Sequence, residues 1–302
     1  MGNAFRITVL WATLYYLSAS LLKPLFRHYR HHRPLTLLEA LPWIRAGWRK
    51  LYFAGREGHV LNQLAAERTR QFFLVPLQVH NDSRVCVHSP YLDVSEFIEE
   101  VVASFAVHAP AKMLLVIKHH ARDRGYHDYS RQIRTLRRQF GLGERLLVVH
   151  DLHLPTLLAH ASGAVVINST VGLAALHHKV PTKTTGSAFY DMDGLTYQGS
   201  LDALWAKAWA AVPHRELYQR FRGFLQHCML LNGSFYRRLP GSRLRSGILW
   251  TGDSQWLPCE TRSSAKDATR AAHAGGGELL LDRDPGKQQR AEPAHTRKGT
   301  SQ

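Results

Sequence analysis

Hydrogen-bonding and ionisable side chains follow short strand-like runs at five places in the chain. They are Gln78, His80, Asn81 and Asp82; Lys118, His119 and His120; His150, Asp151 and His153; Asn168, Ser169 and Thr170; and Tyr190, Asp191 and Asp193. The second group, inside LLVIKHHARDRG, allows a metal site, a phosphate grip or a solvated basic loop. A lysine brings a fixed charge and a histidine brings a donor, so the pair suits a phosphate oxygen. A zinc set drawn from His119, His120, His150 and His153 with Asp82 or Asp151 fits less well. No HExxH pattern is present, and adjacent histidines in an extended segment point to opposite sides. No metal is expected. NSTVG, beginning at Asn168, has two readings. Ser169, Thr170 and the free N–H groups of a helix start would bind an anion, with Gly172 permitting close approach. Alternatively, Ser169 or Thr170 simply caps the helix. Neither a GxxxxGK[ST] loop nor a GxGxxG fingerprint is present.

These clusters matter because of what precedes them. QFFLVPLQV, residues 113–117, 146–149 and 164–167 read as short, apolar strands, and 181–185 as a last strand. Between them lie helical patterns. Asp93 and Glu96 form a capping-box start, and Val94, Phe97, Ile98, Val101, Val102 and Phe105 follow at helical spacing. Residues 126–140, 154–161 and 170–178 supply further helices, and 201–211 and 214–230 close the series. Apolar strands alternating with helices predict an α/β fold with a Rossmann-like parallel sheet covered on both faces. Ligands of such sheets bind beyond the carboxyl ends of the strands, where all five clusters fall.

The expected domain organisation is a helical basic segment over 1–67, a Rossmann-like nucleotide-sugar-binding domain over 68–239 and a disordered tail over 240–302. The first segment is rich in Leu, Trp, Tyr and Arg, with interruptions expected at Pro24, Pro34 and Pro42. Its run ITVLWATLYYLSASLL is shorter than the roughly 20 residues that span a bilayer and predicts a packed helix, one that could lie on a membrane. The tail is polar, of mixed charge, and poor in the apolar surface that offsets ordering entropy. A formal net charge of +16 over 302 residues favours an anionic partner. No zinc finger, RNP-like motif or basic zipper accompanies that charge, so no nucleic acid is expected, and a nucleic-acid-binding protein, resting on charge alone, is the last of the alternative readings. The three cysteines, Cys86, Cys228 and Cys259, form neither a disulfide framework nor a metal pair, which suits the cytosol.

FFLVPLQVHNDS, KHH-x-x-DRG, HDLHLPTLL, VVINSTVGLAAL and FYDMDGLTYQG, in this order, resemble the KpsS-type capsule polysaccharide biosynthesis proteins, relatives of the KpsC-type β-Kdo transferases. The resemblance runs from YRHHRPL to LNGSFYRRLPG. It implies a GT-B-like glycosyltransferase that uses CMP-Kdo as donor, needs no further cofactor, and glycosylates an anionic lipid such as phosphatidylglycerol. It also implies a capsule assembly and export complex as partner, and a cytoplasmic location peripheral to the inner membrane. The family's Q-x-x-x-D motif falls on Gln78 and Asp82, whose carboxylate resembles the nucleophile of a retaining double displacement. Its Lys-x-His-Pro motif falls on Lys118 and His120 as phosphate contacts, and His119 is expected to turn away. His150, Asp151, Asn168, Ser169, Thr170 and Gly172 complete the implied nucleotide pocket. There are two departures. Ala121 replaces the motif's proline, and the family's N-terminal Rossmann domain has no counterpart here. A non-catalytic nucleotide-binding or assembly subunit is therefore the alternative expectation.

Overall fold

A computed structural model describes residues 5–26, 28 and 40–229. The predicted tail and most of the basic run between Arg27 and Arg33 lie outside the described residues.

Five parallel strands form one sheet: β1 (Phe72–Pro76), β2 (Leu114–Lys118), β3 (Leu146–Val149), β4 (Gly163–Val166) and β5 (Thr182–Thr184), in the order β3-β2-β1-β4-β5. Alternate residues of each strand face opposite sides, as the pleat requires. Phe73 and Val75 of β1 join Leu115, Ile117 and Val165 on one face, while Phe72 and Leu74 join Val116 and Ala164 on the other. The first face is covered by α4 (Val94–His108), α5 (Ser130–Gln139) and α8 (Leu201–Lys207), which contribute Phe97, Val101, Phe105, Ile133 and Trp205. The second is covered by α2 (Ala40–Ala66), α6 (Leu154–His160) and α7 (Val171–His177), through Leu64, Leu157, Leu158 and Ala175. Each fully buried side chain of this kind contributes roughly 1.5–3 kcal/mol by leaving water. The chain thus forms the predicted α/β Rossmann-like sheet.

Because β4 pairs with β1 and not with β3, the chain winds away in opposite directions from the β1–β4 pair. The connecting helices lie on opposite faces there, opening a crevice at the carboxyl ends of these two strands.

Several local expectations need correction. Pro42 does not interrupt a helix. It is the third residue of α2, where its missing N–H has no intrahelical acceptor to lose. Residues 121–123 form a 3-10 turn of their own. α5 begins at Ser130 and not at Tyr126, because residues 126–129 form a turn in which Asp128 accepts the Ser130 N–H at 2.9 Å. The closing helix α9 (Arg215–Phe224) passes into a π-helical turn over Leu225–Met229. A helix that periodicity did not reveal, α3 (Ser83–His88), follows Asp82 directly and buries only Val85. The N-terminal helix α1 (Phe5–Leu22) is present but is not packed as expected, since Trp11, Leu17 and Leu21 are exposed, and no described helix is long and apolar enough to cross a membrane.

Candidate functional site

Gln78 and Asn168 stand at the ends of the two strands that flank the crevice, and they bind each other. The Gln78 amide nitrogen donates to Asn168 Oδ1 at 3.0 Å, and the Asn168 backbone N–H donates to Gln78 Oε1 at 3.2 Å. Gln78 is 3% exposed, so these bonds are made out of water, where an unmade partner costs about 1–3 kcal/mol. Asn168 also donates through Nδ2 to the carbonyls of Arg84 and His88, at 2.9 and 3.2 Å. The short α3 is thereby held across the crevice, and its N-cap is Asp82.

Asp82 is saturated with donors. Oδ1 accepts from the backbone N–H and Nε of Arg84, both at 3.1 Å, and Oδ2 accepts from Arg84 Nη2 at 2.8 Å and Gln78 Nε2 at 3.1 Å. The Arg84 guanidinium holds this carboxyl below the usual carboxylate range. Partial burial pushes the other way, and the Gln78 amide reinforces the arginine. The result is an ionised, oriented carboxylate at the switch point. Sequence reasoning missed Arg84, although its place two residues into a helix capped by Asp82 is where a side chain can return to its own cap.

At the β2 end, the three residues of the KHH run separate by role. Lys118 Nζ donates to the His150 carbonyl at 3.4 Å, and burial lowers its pKa, with the nearby Arg124 charge acting in the same sense. His119 turns inward, is 2% exposed, and stands with its ring nitrogens 3.0 and 3.2 Å from the carbonyls of His120 and His127. Burial brings its pKa down to about 4. His120 caps the 3-10 turn, accepting the Arg122 N–H on Nδ1 at 3.1 Å. That bond fixes the neutral tautomer with its proton on Nε2, and burial lowers the His120 pKa, so the ring offers a donor.

The DRG that follows has a structural reason at each position. Asp123, fully buried, accepts from the His80 backbone N–H at 2.6 Å and pairs with His80 Nδ1 at 2.7 Å. Arg124 pairs with Asp151 and donates to the His150 carbonyl. At Gly125 a Cβ would lie 1.9 Å from the Pro42 carbonyl oxygen, so only glycine lets α2 pack here.

The β3 end is covered by α2. Glu57 accepts the backbone N–H groups of His150 and Asp151 at 2.8 and 2.9 Å, and pairs with His150 Nδ1 at 2.8 Å. Phe53 stacks on the same imidazole at 3.6 Å between centroids. Burial raises the Glu57 pKa, and the bonds from His150 and Asp151 more than reverse that. His150, 5% exposed, keeps an unpartnered Nε2 inside this packing. Its side chain therefore faces α2 here, while its carbonyl orients Lys118 and Arg124.

At the β4 end, Ser169 acts as a cap: its Oγ accepts the Val171 N–H at 3.2 Å. Thr170 is exposed and makes no side-chain cap bond. The close approach that Gly172 permits is that of Tyr190, whose hydroxyl would lie 2.2 Å from an added Cβ and donates to the Ser169 carbonyl. The fifth cluster is absorbed structurally. Asp191 accepts from Thr196 and Gln198, at 2.6 and 3.1 Å, and Asp193 accepts the Gly194 N–H. His153 meets Thr156, its Nδ1 lying 2.9 Å from the hydroxyl. Among the described residues, no group of three His, Cys, Asp or Glu side chains is arranged to hold a metal ion.

A family model described as capsule polysaccharide biosynthesis protein matches residues 3–236. The chain belongs to this family. Within it, the Capsule polysaccharide export protein KpsS of Escherichia coli is 43% identical over 226 residues, covering 74% of this chain and 58% of that protein. The Capsule polysaccharide modification protein LipB of Neisseria meningitidis is 38% identical over 213 residues, covering 70% of this chain and 50% of that protein. The chain thus spans roughly half the length of these curated relatives. Among solved structures, the KpsC β-Kdo 2,7 transferase of Thermosulfurimonas dismutans aligns at TM-score 0.32 and 20% identity, covering 64% of this chain and 57% of that one. The family assignment rests on the sequence matches.

Proposed function

We propose that the chain takes part in capsule polysaccharide assembly as a retaining glycosyltransferase, moving β-Kdo from CMP-Kdo to a phosphatidylglycerol-type lipid. The observation that carries this reading is Asp82: an ionised carboxylate held at the switch point by Gln78 and Arg84. The donor and acceptor follow from the motif resemblance. In the first step Asp82 attacks the anomeric carbon, and the sugar–phosphate bond breaks with its electron pair going to CMP. In the second, an acceptor hydroxyl displaces Asp82 with net retention. Lys118 and the Nε2–H of His120 serve as donors to the phosphate, and Asn168, Ser169 and Thr170 line the adjoining strand end. His150 and Asp151 support this pocket through Lys118 and Arg124. Arg84 must leave Asp82 before attack, since together with Gln78 it occupies every acceptor site of the carboxylate. Its side chain is half exposed, and an arriving anion gives it another partner.

Incubation of the full chain with CMP-Kdo and phosphatidylglycerol, beside Asp82→Ala, tests the reading. Product from the intact chain and none from the variant is expected. The chain's coverage of its relatives keeps a second reading in view, a nucleotide-binding subunit that completes a site with another protein. CMP binding without turnover would favour it.

A lipid acceptor calls for a membrane-facing surface, and α2 offers one. Leu41, Ile44, Trp48, Leu51 and Tyr52 form an exposed stripe opposite the face that bears Phe53 and Glu57, and Arg45 and Arg56 flank it. Near anionic headgroups each such basic residue contributes about 1 kcal/mol. Co-flotation with phosphatidylglycerol vesicles, lost in Trp48→Asp and weak with neutral vesicles, is the expected result.

A further inference from the structure

The mechanism above leaves one proton unassigned. CMP departs as a phosphate anion and needs no acid, whereas the acceptor hydroxyl must lose its proton as it attacks the glycosyl-Asp82 ester. Asp82 cannot take that proton, because in-line displacement brings the acceptor to the face of the anomeric carbon opposite its carboxylate. A second group, within reach of the acceptor, takes it.

His80 lies two residues before Asp82, in a turn closed by the Asp82 N–H donating to the Val79 carbonyl at 3.0 Å. Its ring is held by Asp123, which takes both the backbone N–H and Nδ1 of His80, at 2.6 and 2.7 Å. Asp123 is fully buried, so its carboxylate is fixed at the Nδ1 edge of the ring. The imidazole is 32% exposed, and among the described residues nothing hydrogen-bonds its Nε2. His127 and Tyr126 flank the ring at centroid distances of 5.7 and 6.1 Å, aligning it from the side. A buried carboxylate on Nδ1 places the neutral proton there and leaves Nε2 as an accessible base. The charges of both Asp123 and Asp82 reach His120, opposing the effect of its burial, so these groups share one electrostatic neighbourhood.

We propose that His80, oriented by Asp123, is the general base of the second half-reaction. Its Nε2 takes the proton of the acceptor hydroxyl, the hydroxyl oxygen bonds to the anomeric carbon, and the carbon–Asp82 bond breaks with its electron pair returning to the carboxylate. The resulting imidazolium is stabilised by Asp123 and later gives its proton to water. This assignment rests on the transferase reading. His80 is the catalytic residue here and Asp123 a positioning residue.

Two measurements on the full chain test it. Mass spectrometry with CMP-Kdo alone reads the Asp82 adduct, and transfer to phosphatidylglycerol reads the second step. His80→Gln is expected to form adduct within a few-fold of the parent chain while transfer falls roughly 10²–10⁴-fold. Azide, a nucleophile that carries no proton to remove, should release the accumulated adduct as the glycosyl azide and restore turnover. Asp123→Asn should show the same split, because an asparagine amide forces the opposite tautomer. A parent chain that forms no adduct overturns the transferase reading and this role with it. A normal adduct with undiminished transfer in His80→Gln overturns the role alone. Nitrogen-15 NMR of the histidines, which needs no donor sugar, should show the neutral His80 ring as the Nδ1–H tautomer. A neutral ring in the Nε2–H tautomer would overturn the proposal even in a chain that cannot be assayed.

Discussion

The two halves of the strand-end edge are built on different plans. At the β1–β4 crevice the polar side chains bind one another, and the outermost, Arg84, is half exposed. At the β2–β3 end they are clamped by another layer, with Glu57 and Phe53 of α2 closing over His150. A ligand can replace the partners of the first region by offering an anion of its own. It cannot do so in the second without lifting α2. One region is arranged for exchange and the other for fixation, although both present similar residue types in the sequence.

The largest effect expected from breaking this contrast is in the exchanging half. On the proposed mechanism Asp82→Asn should lower transfer by at least about 10⁴-fold, the scale at which removing a nucleophile acts. Its stability should stay within about 1 kcal/mol of the parent, because the lost partner is a half-exposed arginine. Turnover with CMP-Kdo and a urea midpoint, measured on one preparation, check both statements.

In the fixed half the order of effects reverses. Glu57→Ala strands the His150 and Asp151 N–H groups and the imidazole inside the α2 interface, and should cost about 3–5 kcal/mol. The contribution has a pH signature. With its folded pKa below the unfolded value of about 4.5, Glu57 stabilises fully above that value and less as pH falls through the folded pKa. Denaturant midpoints at pH 7 and pH 4 should therefore differ less in Glu57→Ala than in the parent. A loss no larger than that of Asp82→Asn would erase the distinction between the two regions.

What the sequence made legible divides along the same line. Strands such as FFLVP and LLVIK are continuous apolar runs, which carry their own signal, and their order in the chain placed the clusters on one edge. The register of side chains beyond the strands was less legible. Glu57 meets its partner 93 residues away, and nothing in its neighbourhood marks it. α3 escaped because six residues with one buried side chain have no periodicity to read. Asp123, Arg124 and Gly125 were visible as a motif, yet their separate tasks depend on which way a 3-10 turn aims them. Tyr190 and Asp191 resembled site residues because a buried hydroxyl and a turn carboxylate look alike in sequence.

A smaller effect probes the seam between the halves. His119 has a folded pKa of about 4, below its unfolded value near 6.5, so the unfolded chain binds more protons between these limits. Its contribution is complete above pH 6.5 and is lost as pH falls toward 4, on the order of 3 kcal/mol in all. His119→Asn should flatten the stability profile across that window while leaving CMP binding near the parental value, since the ring faces away from the crevice. Equal flattening by His120→Asn would show that the two histidines are not divided as their hydrogen bonds suggest.

The smallest effect concerns Ala121, which stands where the motif it resembles has proline. His120 already has φ −73° and ψ 134°, the extended region that a residue before proline requires. Ala121 opens the 3-10 turn, whose φ matches that of a proline ring, and no hydrogen bond from its N–H is formed among the described residues. Ala121→Pro thus removes freedom from the unfolded chain without straining the folded one, and should stabilise by about 0.4–1 kcal/mol. Because His120 stands between the exchanging and the fixed half, the substitution also asks which it belongs to. If His120 must adjust to a phosphate, CMP should bind more weakly to the proline variant despite its greater stability. If the Nε2–H is already in place, affinity should hold or rise. The Arg122 N–H on Nδ1 points to the second outcome, and calorimetric CMP titration of both chains decides it.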